Sequence, residues 1–260
     1  MKIFITGAAS GIGFALAKRL IGEGHYLFLG VHTKKEVKTT VKKIKDLNYL
    51  DRVSVMKLDI TKAKDRELIT DIDIDCLVNL VGVGIGGSLL NLDVNKIRHN
   101  FDVNFFNTLE LIQTYIKSRG NRPSKVVITS SLAGFISIPF LGSYCASKAA
   151  LSTYIECLNR ELKKTKLNTK LKLIEPGAYY TGFNQYMITN KEKLDNSMFN
   201  EDIESIINNQ KELFNLIEKK SLSSVINTFD LAINSNTNRL KYKVPISQAI
   251  FIKLYLPLLK

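Results

Sequence analysis

Short apolar runs alternate with helical patterns through the first two-thirds of this chain. Lys2–Thr6 reads as a strand, followed by a glycine turn and a helix through Leu20. Tyr26–Val31 is a second apolar run, and the lysine-rich stretch from about Lys35 to Asp46 has helical spacing. Val53–Leu58, Cys76–Leu80, Lys125–Ser130 and Leu171–Ile174 supply further short runs. A long helix is expected over Val94 to Lys117, and another from around Tyr144 to about Lys164. Apolar periodicity switching repeatedly between the two patterns predicts strands alternating with helices. The fold class that follows is α/β, a doubly wound parallel sheet of the Rossmann type with right-handed crossovers. Ligands of such sheets bind at the carboxyl ends of the strands.

The pattern changes after Pro176-Gly177. Gly182 to Lys220 is polar, with Ile203, Ile206, Ile207, Leu213, Leu216 and Ile217 at amphipathic spacing. This segment, 182–220, predicts a helical flap over the site. Ser221–Asn234 reads as a further helix and Leu240–Val244 as a last strand. No linker rich in Pro, Gly or Ser interrupts the chain and no internal repeat is visible. A single domain over 1–260 is expected.

Composition narrows the function classes. The 260 residues are 45% hydrophobic and 23% charged, ordinary for a soluble globular protein. Nothing reads as a transmembrane span, and the opening Met1-Lys2-Ile3-Phe4 runs straight into a strand, leaving no room for a signal peptide. Cys76, Cys145 and Cys157 are odd in number and lack metal-ligand spacing, so no metal site and a reducing, cytoplasmic location are expected. The formal net charge is +13. Its lysine clusters fall on polar helix faces, without interleaved aromatics or a nucleic-acid motif, so no nucleic-acid partner is expected. The field can still steer an anionic cofactor or substrate. The apolar tail Val244–Lys260 is too short to span a bilayer and is interrupted by Lys253 and Pro257. It either lies on a membrane surface or packs on the pocket or another subunit; packing is the commoner fate of such tails.

Three signals carry chemistry. Tyr144 and Lys148, at i and i+4, share one helix face, and a neighbouring ammonium lowers a phenol pKa that is otherwise about 10. Ser131 precedes the Tyr by thirteen positions. The turn Thr6-Gly7-Ala8-Ala9-Ser10-Gly11-Ile12-Gly13 stands between a strand and a helix, where glycines permit close backbone approach and free N–H groups meet phosphate. At the end of the second strand, where a carboxylate would hold a ribose 2′-hydroxyl, the chain has Val31 followed by His32, Thr33, Lys34 and Lys35. That favours NADP(H) over NAD(H). The competing reading is that the two lysines simply begin an exposed helix.

Taken together, Thr6-Gly7-x-x-x-Gly11-x-Gly13, Asp59, Asn79-Leu80-Val81-Gly82, Asn104, Ser131, Tyr144-x-x-x-Lys148 and Pro176-Gly177 with Thr181 resemble the short-chain dehydrogenase/reductase family over nearly all of residues 1–182. The resemblance implies Tyr144 as general acid/base, Lys148 as the ribose-holding cation that lowers the Tyr pKa, and Ser131 as a hydrogen-bond partner of the substrate carbonyl. It implies Asn104, in a helix kink, as support for a proton-exchanging water. Gly7, Ser10, Gly11, Ile12, Gly13, His32, Thr33, Lys34, Asp59, Ile60, Asn79, Gly82, Pro176, Gly177 and Thr181 would hold the cofactor, with Asp59 and Ile60 at the adenine. It further implies a homodimer or homotetramer through the helix from Val94 and the helix carrying Tyr144. One departure is visible: the family usually has Asn-Asn-Ala-Gly where this chain has Asn79-Leu80-Val81-Gly82. That change is the sole support for an alternative, a non-catalytic NADP-binding sensor or scaffold. The expected reaction is reduction of a ketone or aldehyde to an alcohol, or its reverse. Ile136, Ile138, Phe140, Leu141, Tyr179 and Phe183 suggest an apolar substrate.

Overall fold

Alternation within β1 (Lys2–Thr6) sets the architecture. Ile3 and Ile5 join the apolar cluster on one side of the sheet and Phe4 the cluster on the other, and all three are fully buried. A strand covered on both faces has no wet side, so its sequence is continuously apolar. The computed structural model of this protein describes residues 1–189 and 203–255. The other strands are β2 (Tyr26–Val31), β3 (Val53–Lys57), β4 (Cys76–Asn79), β5 (Ser124–Thr129), β6 (Thr169–Pro176) and β7 (Lys241–Val244). They pair in parallel in the order β3-β2-β1-β4-β5-β6-β7. The doubly wound parallel sheet expected from the sequence is therefore borne out. Strand order reverses between β1 and β4, which opens a crevice beyond their carboxyl ends.

The helices in chain order are α1 (Gly11–Gly22), α2 (Lys34–Asp46), α3 (Ala63–Glu67), α4 (Val94–Phe101), α5 (Asn107–Arg119), α6 (Gly142–Leu162), α7 (Phe183–Thr189), α8 (Ile203–Ile217), α9 (Ser223–Asn234) and α10 (Ile246–Tyr255). Leu16 and Leu20 of α1, Ile44 of α2 and Phe229 of α9 pack on the Ile3 face. Ile112 and Tyr115 of α5 and Leu151 and Ile155 of α6 pack on the Phe4 face. Each such fully buried side chain contributes about 1.5–3 kcal/mol. A third cluster, with Leu141, Tyr144, Met187 and Phe214, lies under α7 and α8. These two helices form the described part of the expected flap; its residues 190–202 lie outside the described residues.

Three elements differ from the sequence pattern. The helix expected over Val94 to Lys117 is divided by a π-helical turn at Asp102–Phe106. There the Thr108 hydroxyl donates to the Val103 carbonyl at 3.0 Å and the Asn107 side-chain amide to the Asp102 carbonyl at 2.8 Å, adding side-chain bonds to carbonyls of the widened turn. β6 begins two residues before Leu171 and extends to Pro176, and within it Lys172 is wholly buried. Its Nζ donates to the Thr237 and Arg239 carbonyls at 2.5 and 3.0 Å. Within the apolar tail Ile246–Tyr255 fold as α10, and residues 256–260 lie outside the described residues. Among the described residues no helix is long and apolar enough to cross a membrane.

Candidate active site

The glycine turn after β1 is close-packed by necessity. Gly7 has φ +67°, a left-handed conformation, and a Cβ there would sit 3.1 Å from the Leu80 carbonyl carbon. A Cβ on Gly13 would fall inside the Gly7 carbonyl oxygen. The backbone can approach a ligand here because no side chain intervenes. Ser10 caps α1 in extended conformation, and its hydroxyl makes no capping hydrogen bond. The free N–H groups of the first turn of α1 thus face the crevice.

A cavity of about 770 Å³ runs from this turn to the flap. Gly7, Ser10, Gly11, Ile12 and Gly13 line one end with His32, Asp59 and Ile60; Gly82, Ser131, Tyr144 and Lys148 line the middle; Pro176, Gly177 and Thr181 border it. The expected positions therefore converge from the carboxyl ends of β1 to β6 and the start of α6. Asn79, Asn104, Thr33 and Lys34 do not line the wall; Asn104 is fully buried behind Gly82. Asn79 is buried, accepting from the Thr6 hydroxyl at 2.7 Å and donating to the Thr108 hydroxyl at 3.4 Å. It holds the loop rather than facing the crevice. Thr33 is committed to a capping box: its hydroxyl accepts from the Glu36 N–H, and the Glu36 carboxylate accepts from the Thr33 N–H. Lys34 then begins the exposed side of α2.

At the β2 end, Asp59 accepts from the Thr61 hydroxyl and N–H at 2.7 and 3.0 Å, and its other oxygen lies 3.8 Å from His32 Nε2. Burial pushes this carboxyl up, but the Thr61 hydrogen bonds, with His32 and Lys57 nearby, hold it below the usual range. Two groups here carried no sequence signal. Glu36 reaches the cavity wall from the first turn of α2. Lys43 crosses from the far end of α2 to donate to the Ala9 carbonyl at 3.0 Å, its ammonium 4.9 Å from the Phe14 ring centroid. Both depend on how α2 lies against the glycine turn.

At the centre, Lys148 Nζ donates to the Thr129 carbonyl at 3.1 Å and stands 5.9 Å from the Tyr144 ring centroid. The Ser131 hydroxyl donates to the Pro176 carbonyl at 3.3 Å and accepts from the Ala133 N–H. Ser130, the neighbouring candidate, turns away to donate to the Lys148 carbonyl at 2.9 Å and so anchors α6. Asn104 in the π-turn donates to the Val83 carbonyl at 2.8 Å and to Ser147, whose hydroxyl donates to the Tyr144 carbonyl. A Cβ on Gly82 would lie 3.4 Å from both Asn104 Oδ1 and Lys148 Nζ, so these two groups flank one small space.

The resemblance implies that Lys148 lowers the Tyr144 pKa; in the chain by itself burial pushes the phenol the other way. Both groups are buried, and burial penalises the charged form of each. The Tyr144 phenol is pushed up to about 12, with only hydrogen bonding to Ser131 opposing, and the Lys148 ammonium is pushed down to about 8. At neutral pH the phenol is therefore protonated, while the Lys148 amine, although its pKa is lowered, still carries its charge.

The far end is apolar. Ile136, Ile138, Leu141, Phe183, Met187, Phe214, Ile217 and Ile252 line it. Of the residues expected to shape the substrate space, Tyr179 also lines it, whereas Phe140 lines an adjacent groove instead. Gln248 on α10 was not anticipated. Its side-chain oxygen accepts from the Ala178 N–H at 2.8 Å, and its nitrogen donates to the Ile217 carbonyl at 2.8 Å, joining the Pro176–Thr181 loop to α8.

Comparison with known proteins agrees with this geometry. The family described as short chain dehydrogenase matches residues 1–193. A probable short-chain type dehydrogenase/reductase, VdlC, of Helicobacter pylori is 29% identical over 259 residues, covering 96% of this chain and 90% of its own. Human 17-beta-hydroxysteroid dehydrogenase type 1 is 30% identical over 201 residues, covering 74% of this chain and 61% of its own. A short-chain dehydrogenase/reductase from Burkholderia phymatum, crystallised with NAD, shares the fold with TM-score 0.80 at 22% identity, covering 100% of this chain and 95% of its own. With a family match over most of its length and a crevice of this construction, the chain belongs to the short-chain dehydrogenase/reductase family of NAD(P)-dependent oxidoreductases acting on CH–OH or carbonyl groups.

Proposed function

We propose that this protein is an NADPH-dependent reductase of apolar ketones or aldehydes, running the reverse oxidation under the opposite cofactor ratio, with Asn104, Ser131, Tyr144 and Lys148 as its working residues. The observation that carries the reading is the meeting of Ser131, Tyr144 and Lys148 in one cavity that continues to the glycine turn. The residues fit a nicotinamide dinucleotide. The side-chain-free cradle at Gly7 and Gly13 and the first turn of α1 would hold the pyrophosphate, Asp59 and Ile60 the adenine, and Lys148 the ribose beside Gly82. The bound cofactor supplies the hydride to the carbonyl carbon.

The chain's own residues handle the oxygen. The Ser131 and Tyr144 hydroxyls hydrogen-bond the carbonyl oxygen and stabilise its developing negative charge. A phenol held up at about 12 is fully protonated at neutral pH, so Tyr144 gives its proton to that oxygen as the C–H bond forms. Lys148 then returns a proton to Tyr144 and is recharged through the space it shares with Asn104 Oδ1. A ligand phosphate or ribose hydroxyl beside Lys148 offsets the penalty that burial places on its ammonium.

Preference for NADP(H) rests on the absence of a carboxylate at Val31-His32 and on Lys43 at the glycine turn, a cation that supplies the charge Ser10 lacks. Glu36 opposes it from the wall, but its carboxylate is engaged by the Thr33 N–H. The apolar end, from Ile136 to Ile252, fits a bulky lipophilic substrate. We place the whole chain in one domain. Cys76 and Cys145 buried as free thiols, with Cys157 also free, suit a reducing, cytoplasmic setting.

The test is NADPH oxidation with a panel of lipophilic ketones. Wild type turns over at least one member, and Tyr144→Phe lowers kcat by roughly 10²–10⁴-fold with little change in cofactor affinity by fluorescence titration. Undiminished turnover in that variant would remove Tyr144 from the chemistry.

A further inference from the structure

We propose that the outer face of α10, with the end of α8, seats the protein on an anionic lipid bilayer and opens the cavity towards it. On α10 the inner positions Gln248 and Ile252 serve the cavity, while Ile246, Ile250 and Leu254, one helical row at i, i+4 and i+8, are 69%, 52% and 61% exposed. Leu216 at the end of α8 is 83% exposed, and Gln248 binds the carbonyl of the next residue, Ile217. The two apolar surfaces are therefore neighbours. They are also continuous with the cavity, because Ile217 and Ile252 line it. An apolar surface of this kind on a described helix marks a contact surface.

Charge decides what covers it. Lys219 and Lys220 follow the end of α8, Lys243 precedes α10 and Lys253 lies within it, all exposed; of the acids on this side, Glu218 is buried against Asn184 and Gln185, and Glu212, exposed one turn before Leu216, is outnumbered by the four lysines. A second copy of the chain would bring the same lysines face to face, within a molecule of net charge +13. Anionic headgroups neutralise them instead, with the apolar row entering the acyl boundary. A helix of ten residues lying flat does this without spanning. The docking stands on this surface alone. Only the delivery of a lipophilic substrate through the Ile217–Ile252 side of the cavity rests on the proposed carbonyl chemistry.

The experiment is sedimentation of the full chain with vesicles of phosphatidylcholine, with and without about 30% phosphatidylserine, beside analytical ultracentrifugation without lipid. Wild type is expected to pellet with the anionic vesicles and roughly tenfold less with neutral ones or in high salt. The triple variant Ile246→Glu, Ile250→Glu, Leu254→Glu loses pelleting by a similar factor while reducing a water-soluble carbonyl as wild type does. Lys220→Gln with Lys253→Gln, which leaves the apolar row intact, weakens pelleting several-fold and guards against a folding artefact. Wild type that stays in the supernatant with anionic vesicles overturns the proposal, as does a triple variant that pellets like wild type. A wild-type dimer that only the triple variant dissolves also overturns it, since the face then belongs to a second copy. Because pelleting needs no turnover, failure of the redox reading leaves this result legible.

Discussion

Asn104 and Val83 exchange two hydrogen bonds: the Val83 N–H donates to Asn104 Oδ1 at 2.8 Å, and Asn104 Nδ2 donates to the Val83 carbonyl at 2.8 Å. This pairing fastens the loop after β4 to the π-turn and fixes Gly82 between Asn104 and Lys148. The same amide donates to Asn100 and Ser147, so one side chain joins loop, kinked helix and α6. Asn104→Ala strands the Val83 N–H and carbonyl, each part-buried, at about 1–3 kcal/mol per unsatisfied group. The expected loss is about 2–4 kcal/mol in urea unfolding, with kcat falling as Gly82 and Lys148 lose their register. A variant unfolding at the wild-type midpoint would show that the loop does not depend on this pair.

Lys148 makes stability depend on pH in an unusual direction. Burial lowers its folded pKa to about 8 from an ordinary value of about 10.5. Below the folded value the ammonium is present in both states, and its burial destabilises the fold in full. Between the folded and unfolded values the unfolded chain holds more protons, so this contribution to stability rises with pH. The span corresponds to something on the order of 3 kcal/mol as an upper bound. Lys148→Met removes that rise. Urea unfolding of both proteins at pH 7 and pH 10 should show the wild type gaining relative to the variant at the higher pH; a constant difference contradicts the buried-ammonium account.

The proposed cofactor preference is expected to respond to two α2 residues near the glycine turn, Glu36 and Lys43. Glu36→Gln retains a capping box, which accepts Gln, but removes a negative charge from the cavity wall. Lys43→Ala removes the cation at the Ala9 carbonyl. The first should strengthen NADPH binding relative to NADH and the second weaken it, each by roughly 2–5-fold, the scale of partly exposed charge interactions. Fluorescence titration with both nucleotides at low salt reads the ratio. If neither substitution moves it, recognition of a 2′-phosphate does not involve α2.

Phe106, beside the π-turn, is 52% exposed and packs edge-on to Phe105 with ring centroids 5.1 Å apart; Phe105 in turn meets Tyr154 of α6 at 5.9 Å. Val94 at the start of α4 is also exposed. We propose this α4–α5 and α6 surface as the dimer contact. Phe106→Glu should convert a wild-type dimer to monomer in sedimentation velocity, with the urea midpoint little changed. A variant that sediments as wild type would move the interface elsewhere.

Local pattern carried the strands, most helices and the identities of Ser131, Tyr144 and Lys148. A buried parallel sheet writes itself as apolar runs, and an i, i+4 pair fixes a helix face. The π-turn was less legible, since a one-residue widening at Asp102–Phe106 scarcely disturbs apolar spacing. The two further residues at each end of β6 were hidden by the charged Lys170 and Glu175, the latter wholly buried and accepting from the Ser152 hydroxyl across from α6. The wall positions of Glu36 and Gln248, the reach of Lys43 to the Ala9 carbonyl, and the withdrawal of Asn79 and Thr33 from the wall follow from contacts no local window contains.

By itself the sequence determined which residue types stand at the ends of which strands, because side-chain period and backbone conformation are set within a few residues. Only the tertiary structure decided their protonation and their company. Burial of Tyr144 and Lys148 raises the phenol pKa and lowers that of the ammonium, which their spacing alone does not reveal, and Ile246–Tyr255 form a helix with one face in the cavity and one towards solvent. Desolvation and long-range packing depend on what the rest of the chain brings near a group, and that is a property of the folded molecule.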